Sequence, residues 1–227
     1  MSMTFLQMAV RLRQEVGGSG TGPTAVTGQS GEYKRFVDWI VTADEDIQRM
    51  HNEWLFMRGS FTLNTVSGTG SYTAADCVTP ITDLRDWRKD TFKIYLQSAG
   101  SSSEVAMFFI DYQQWYDIYN TGSQTNSSPL YFSIGNDLSL KIAPKPNAVY
   151  VISGEYQKSV DTLAASSDVP VYPSEFHMAA VYGAMMKYAR YTGAAEIYAD
   201  AEKALKRIIK EMRRTQLPRT KFGAPLA

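Results

Sequence analysis

The chain has 227 residues, of which 44% are hydrophobic and 20% charged, with 23 Lys+Arg against 23 Asp+Glu. A chain of that length and balance can bury a core as one large domain or two small ones, and is not globally disordered, collagen-like or an overall cationic coat for nucleic acid. No stretch approaches the roughly 18 apolar residues of a membrane span, the opening MSMTFLQMAVRLRQEV does not read as a signal peptide, and the single Cys77 excludes an internal disulfide, as expected of folding in a reducing cytosol.

The first helix announces itself at Thr4, an N-cap with Gln7 at capping-box spacing and Met3 and Met8 placed as a hydrophobic staple. Phe5, Met8, Ala9, Leu12 and Val16 form its apolar stripe, and Gly17 is a left-handed terminator. GGSGTGPTAVTGQSG follows as a flexible loop, too polar and glycine-rich to hold structure alone. A second helix is expected from about Glu32 to Met57. Its seam of Tyr33, Phe36, Val37, Ile40, Ala43, Ile47, Met50 and Trp54 would be about 40 Å long at 1.5 Å per residue. Lys34, Arg35, Asp38, Glu45, Gln48 and Arg49 occupy the opposite, exposed face.

Between Gly59 and Val160 the apolar period changes from 3.6 to 2. Phe92, Ile94 and Leu96 alternate with polar residues. Leu130, Phe132 and Ile134 lead into a tight turn at Gly135-Asn136, after which Leu138, Leu140 and Ile142 alternate again. Val149 to Tyr156 reads as the next strand. These segments predict an antiparallel β subdomain of five to seven strands inserted between helical ends. Helix returns at Pro173, whose fixed φ suits a first turn, with Glu175 near the helix N-terminus. Residues 174 to 191 are apolar nearly all round, which predicts a central helix broken at Thr192-Gly193. A last helix from about Ala195 to Arg214 buries Ile197, Ala201, Leu205, Ile208 and Met212, displays Lys203, Lys206, Arg207, Lys210 and Arg213, and stops at Pro218. The fold class is therefore α+β: a helical bundle from both chain ends with an inserted antiparallel β subdomain. The expected divisions are 1–58 and 163–216 for the helical frame, 59–162 for the β subdomain and 217–227 for a tail.

Reaction chemistry finds little support. His51 and His177 lie on different helices with no short-spaced partners, so no metal site is expected. Gly20-Thr21-Gly22-Pro23-Thr24-Ala25 fits G-x-G-x-x-A in form, but it follows a helix and contains Pro23, so it reads as a loop and not as a dinucleotide fingerprint. No P-loop, nucleophile elbow or Cys–His signature is present. Asp83, Asp86 and Asp90 are interleaved with Arg85, Arg88 and Lys89, which lower carboxyl pKa values and point to a solvated, ion-paired surface. Tyr112, Trp115, Tyr116 and Tyr119 fit a core or a protein contact better than ligand stacking. No enzyme activity and no cofactor are expected.

Charge is uneven along the chain. From Glu202 onward eight Lys/Arg face two Asp/Glu, a net of +6, which leaves −6 for the remainder. A cationic helix face with a Pro-containing tail can neutralise phosphates, dock in an acidic groove, or simply be solvated. Phe222 and Leu226 favour protein docking, since a pure phosphate binder needs no apolar anchors.

The order of elements resembles the head–tail adaptor (connector) proteins of tailed bacteriophages, which form a ring beneath the portal. The resemblance lies in Met3-Thr4-Phe5-Leu6-Gln7 with Leu12, a Gly-rich gap and a long helix ending in Trp54. It continues in Gly135-Asn136-Asp137-Leu138-Ser139-Leu140 followed by Pro144 and Pro146, then in Asp168-Val169-Pro170 before Pro173-Ser174-Glu175, and in the two final helices with their basic tail. It covers most of the chain but not residues 60 to 90 or 98 to 104. The resemblance implies a non-enzymatic virion protein, made in the bacterial host cytoplasm and located in the neck. It would assemble as a ring of usually twelve copies on the portal protein and offer a platform to a neck or tail protein, while genomic DNA passes through the channel without sequence-specific binding. The portal-docking role would fall on Arg213, Arg214, Leu217, Arg219, Lys221 and Phe222, with no catalytic or metal residues. A neck stopper or tail-completion protein is the alternative within the same class, and a carbohydrate-binding protein using the β subdomain the alternative outside it.

Overall fold

The computed structural model describes residues 2–218. The chain is α+β and divides into two compact units, one drawn from the residues up to Met57 and from Val160 onward, the other from Arg58–Ser159.

The helical unit contains α1 (Phe5–Glu15), α2 (Gly31–Arg49), α4 (Met178–Thr192) and α5 (Ala195–Gln216). The predicted capping box on α1 is complete: the Gln7 amide donates to Thr4 Oγ1 at 3.3 Å and the Thr4 amide to Gln7 Oε1 at 2.9 Å. Phe5, Met8, Ala9 and Leu12 are buried, Val16 only half so, and Gly17 follows at φ +71°. The glycine-rich loop contains neither helix nor strand, yet it is tied down more than its composition suggests. Arg13 donates to the carbonyls of Gly18 and Gly20, the Val26 amide donates to Ser166 Oγ, and Val26 is buried.

Helix α2 is shorter than its apolar period predicts. It ends at Arg49, about 28 Å from its start at 1.5 Å per residue. Trp54 reaches the core by another route: the chain turns back after Met50 and the Trp54 indole donates to the Ile47 carbonyl at 3.0 Å. That bond occupies one of the carbonyls a helix end leaves open. Gln48, expected on the exposed face, is buried.

Helix α4 is central as expected, packing against α1, α2 and α5. It approaches α2 closely at Gly183, where a Cβ would stand 2.9 Å from Ala43 Cβ. Pro173 precedes a 3₁₀ turn, Ser174–Phe176, and does not itself open the α-helix. Gly193, at φ +73°, closes α4. On α5 the buried residues are Ala201, Ile209 and Met212, while Ile197, Leu205 and Ile208 are half-buried.

The β unit holds nine strands among the described residues, more than the five to seven expected. A five-stranded sheet is organised by β9 (Tyr150–Lys158), which pairs along its length with β1 (Arg58–Asn64) in register Phe61↔Gly154. Its remaining pairings are with β4 (Lys93–Leu96) near one end and β3 (Leu84–Trp87) near the other, while β5 (Val105–Ala106) pairs with β4. The second sheet runs β2 (Ser71–Tyr72), β8 (Leu140–Ala143), β7 (Tyr131–Ile134), β6 (Phe108–Phe109). The strand pairings are antiparallel as expected except β6–β7, which is parallel. A helix that alternation did not announce, α3 (Tyr112–Tyr119), packs on β7 and β8.

The predicted hairpin is β7–β8, but its turn lies one step further on than Gly135-Asn136. Gly135 and Ser139 close a three-residue loop, the Gly135 amide donating to the Ser139 carbonyl at 2.8 Å. Leu138 takes the left-handed position at φ 62° that glycine usually fills in such loops, so it is part of the turn and not of the strand. Rings fill the core of this unit. Phe61 lies 4.7 Å from Trp87 and 5.1 Å from Phe92, and Phe92 stacks on Phe132 at 4.1 Å and 11°.

Candidate functional site

The cationic face expected at the C-terminal end is a continuous stripe on α5. At 100° per residue Lys203, Arg207, Lys210 and Arg214 fall along one line, flanked by Lys206 and Arg213, and all six are exposed. The buried residues Ala201, Ile209 and Met212 hold the opposite side. The amphipathic pattern alone thus orients the charges outward. Only Lys206 and Arg214 pair with carboxylates on the helix, Glu202 at 3.1 Å and Glu211 at 3.9 Å. Both pairs are solvent-exposed and contribute little to stability. Lys203, Arg207, Lys210 and Arg213 make no ion pair among the described residues, so the stripe keeps a surplus of positive charge. Arg213 also stands near His51, whose pKa is lowered by burial first and by that charge second.

Of the expected docking residues, Arg213 and Arg214 lie together and exposed on the last turn. Leu217 sits just beyond the helix, half-buried and packed against the helical core. Leu55, Arg214, Thr215, Leu217 and Pro218 line a shallow groove there. Arg219, Lys221 and Phe222 lie outside the described residues.

The remaining chemical candidates resolve into structure. His177 is buried, accepts from the Met3 amide at 3.0 Å through Nδ1 and meets the Tyr172 carbonyl at 3.2 Å through Nε2. Burial lowers its pKa, opposed by the carbonyls of Tyr172 and of Met3, the latter 3.2 Å from Nδ1. No cluster of three or more metal-ligating side chains occurs among the described residues. Arg88 pairs with Asp90 at 3.5 Å and Glu155 at 3.3 Å, Lys158 with Asp83 at 3.9 Å, and Tyr156 donates to Asp83 at 3.0 Å. That is the ion-paired surface read from the sequence. Cys77 is buried, which pushes its thiol up to about 11 and leaves it a poor nucleophile.

One arrangement escaped the sequence altogether. Asp44, 1% exposed, accepts from Gln48 Nε2 at 2.7 Å. Gln48 also donates to the Asp161 carbonyl at 2.8 Å and accepts from the Asp161 amide at 2.9 Å, which fixes the segment that leads into α4. Burial pushes the Asp44 carboxyl up to about 6, Tyr172 and Gln48 pull the other way, and Asp161 and Glu45 add to the rise. The available signal was the i, i+4 spacing of Asp44 and Gln48, beside the stripe through Ile40 and Ile47.

A family model described as SU10 adaptor protein matches residues 3–226. No curated protein matches the chain.

Proposed function

The chain belongs to the SU10 adaptor protein family, so it is a structural adaptor of a bacteriophage virion, and from that premise we propose that it is a head–tail adaptor of the neck. In this reading the C-terminal end grips the portal ring, copies of the chain form a ring of about twelve whose multivalency strengthens each weak contact, and the assembly offers a platform to a neck or tail protein around the DNA channel. The protein performs no catalysis.

The observation that carries the proposal is the outward basic stripe of α5, which ends in Arg213 and Arg214 directly before the tail that contains Arg219, Lys221 and Phe222. A helix anchored on one side by Ala201, Ile209 and Met212 presents its charges at fixed spacing, so docking costs little side-chain rearrangement. Leu217, the expected docking residue just beyond α5, packs on the helical core.

The test is attachment to portal-bearing, DNA-filled heads, read by co-sedimentation and negative-stain imaging. A chain ending at Pro218 keeps every described element and is expected to fold, with unchanged far-ultraviolet circular dichroism, yet to leave heads without a ring. Arg213→Glu with Arg214→Glu in the full chain should weaken attachment at least about tenfold, since reversing a contact charge adds repulsion to the lost attraction. Normal attachment by both variants would overturn the docking assignment.

A further inference from the structure

We infer that residues 160–172 form a strap across the helical unit whose hold on α2 is set by the proton on Asp44, closed while that carboxyl is neutral and lifting as it ionises. The strap contains neither helix nor strand and is mostly exposed, with Leu163 and Tyr172 among its buried anchors. At its start the Gln48 side chain holds both the amide and the carbonyl of Asp161, at 2.9 and 2.8 Å, and Thr162 donates to Glu45 Oε1 at 2.9 Å. Further along, the Phe5 amide donates to the Asp168 carbonyl at 2.7 Å and the Leu6 amide to the Ser166 carbonyl at 3.3 Å. The strap thus ties the first turn of α1 to α2. A segment held by few apolar contacts and by exposed backbone bonds is the kind that opens before the rest of a fold.

Asp44 is one side chain away from the strap backbone, because Gln48 Nε2 donates both to its Oδ2 and to the Asp161 carbonyl. Its Oδ1 and the Tyr172 hydroxyl are buried and meet without the geometry of a full hydrogen bond. Burial opposes the Asp44 charge most strongly; Tyr172 and Gln48 favour it, and Asp161 on the strap and Glu45 on α2 oppose it. At the start of α4 the His177 ring stands behind Tyr172, at 5.7 Å. Charged side chains on the two helices packed against α2 are engaged elsewhere: Arg11 with Glu15, Arg13 with the Gly18 and Gly20 carbonyls, Lys187 with Asp46 and Arg190 with Tyr198.

A neutral carboxyl still accepts from Gln48, so the closed strap keeps its bonds when Asp44 is protonated. An ionised one is a buried charge, and the least rearrangement that hydrates it is lifting the strap to admit water. The sign follows from linkage. With the strap closed the carboxyl is raised to about 6, and once hydrated it returns towards 3.8. The closed state is therefore held fully below about pH 4 and loses that hold as pH rises through 6. This device does not rest on the adaptor reading.

The test is amide hydrogen exchange of the full chain, followed by NMR at about pH 4.5 and 7.5 and corrected for the intrinsic pH dependence of exchange. The Asp161 and Phe5 amides report the strap, and the Ala184 amide, within α4, reports unfolding of the helical unit. At the higher pH the strap amides should be less protected than Ala184, and their protection should have fallen about twentyfold from its value at the lower pH. In Asp44→Asn, which cannot ionise, the fall should shrink to less than about threefold. Strap amides exchanging together with Ala184 in the parent would show that the strap opens only with the whole unit. A fall that persists in the Asn variant would belong to Glu45, Asp161 or His177. Either result, or protection independent of pH in the parent, overturns the inference. A reading that needs no variant comes from the ¹³C shift of the Asp44 carboxyl in the parent: its titration should be centred where the fall in protection levels off, and a midpoint near about 4 would overturn the inference as well.

Discussion

The two units of this protein close their cores differently. In the helical unit small residues let two helices meet, Gly183 on α4 against Ala43 on α2, and polar groups sit inside the core: Asp44, Gln48 and His177 are all buried. In the β unit rings stack on rings, Phe92 on Phe132 at 4.1 Å, and among the described residues no carboxylate or imidazole is buried. Even its glycines serve the rings. A Cβ on Gly154 would stand 2.8 Å from the Phe61 ring, and the Tyr156 ring lies over Gly59. The difference follows from geometry. Helices approach closely where side chains are small, whereas strands present flat surfaces on which rings can lie over glycine backbone. It also assigns different sensitivities to the two units, one to proton concentration and the other to loss of aromatic volume.

The largest expected effect tests the aromatic half of that contrast. Phe92 touches both Phe61 and Phe132, so Phe92→Ala removes the ring that links the cluster. A cost of about 3–5 kcal/mol is expected in urea unfolding followed by tryptophan fluorescence, with Trp87 as a nearby reporter. Phe92→Leu should recover part of it. A loss below about 1 kcal/mol would mean that the rings are replaceable filling, and the contrast between the cores would fail.

The polar half is tested by pH. Asp44 has a folded-state pKa of about 6 against an ordinary 3.8. Because the folded value is raised, its stabilising contribution is complete below about pH 4 and is lost as pH rises through 6; two pKa units correspond to about 3 kcal/mol at most. Asp44→Asn keeps an acceptor for Gln48 and cannot ionise. Unfolding free energies measured at pH 4 and pH 8 should therefore show near equality with the parent at the lower pH and a gain of up to about 3 kcal/mol at the higher. His177 and His51 supply the opposite slope, since burial lowers both pKa values and the stability they give is lost as pH falls below about 6.5. In the Asn variant their combined slope should be what remains in this range. An Asn variant less stable than the parent at pH 8 would place a favourable partner beside the Asp44 carboxylate and reverse the assignment.

The same contrast explains which parts of the fold were readable in the amino-acid sequence. The helical unit was largely legible because its signals are local: Thr4 and Gln7 close a capping box, Gly193 ends α4, and the charged face of α5 is a plain amphipathic pattern. Its misreading at Trp54 is instructive, because a residue can keep the apolar period of a helix while reaching the core by folding back onto it. In the β unit the long strands β7, β8 and β9 alternate visibly, but β2, β5 and β6 have two residues each and carry no readable period. The parallel pairing of β6 with β7 is set by distant chain, not by local sequence. Helix α3 was hidden in plain view. Tyr112, Trp115, Tyr116 and Tyr119 have helical spacing after Asp111, whose side chain accepts from the Gln113 amide, but rings also suit strands and so masked it. The basic residues of the candidate site were readable as an α5 face, whereas the burial of Asp44 and Gln48 was not, because only packing decides that a polar pair turns inward.

The smallest effect concerns the one turn in which local preference and structure disagree. Leu138 holds φ 62°, where a side chain costs about 1–2 kcal/mol relative to the right-handed region. Glycine removes that cost but loses about 0.4–1 kcal/mol through the greater freedom of the unfolded chain. The contact that ties this turn to the aromatic core, the Trp87 indole to the Leu138 carbonyl at 2.7 Å, uses backbone and survives substitution. Leu138→Gly should therefore raise stability by no more than about 1 kcal/mol, and Leu138→Val, branched at a position that disfavours branching, should lower it by a similar amount. Both follow from the midpoint of chemical unfolding. If the glycine variant instead loses more than about 1 kcal/mol, the half-buried Leu138 side chain is itself part of the β core, and the aromatic cluster depends on an aliphatic lid that the contrast between the two units leaves out.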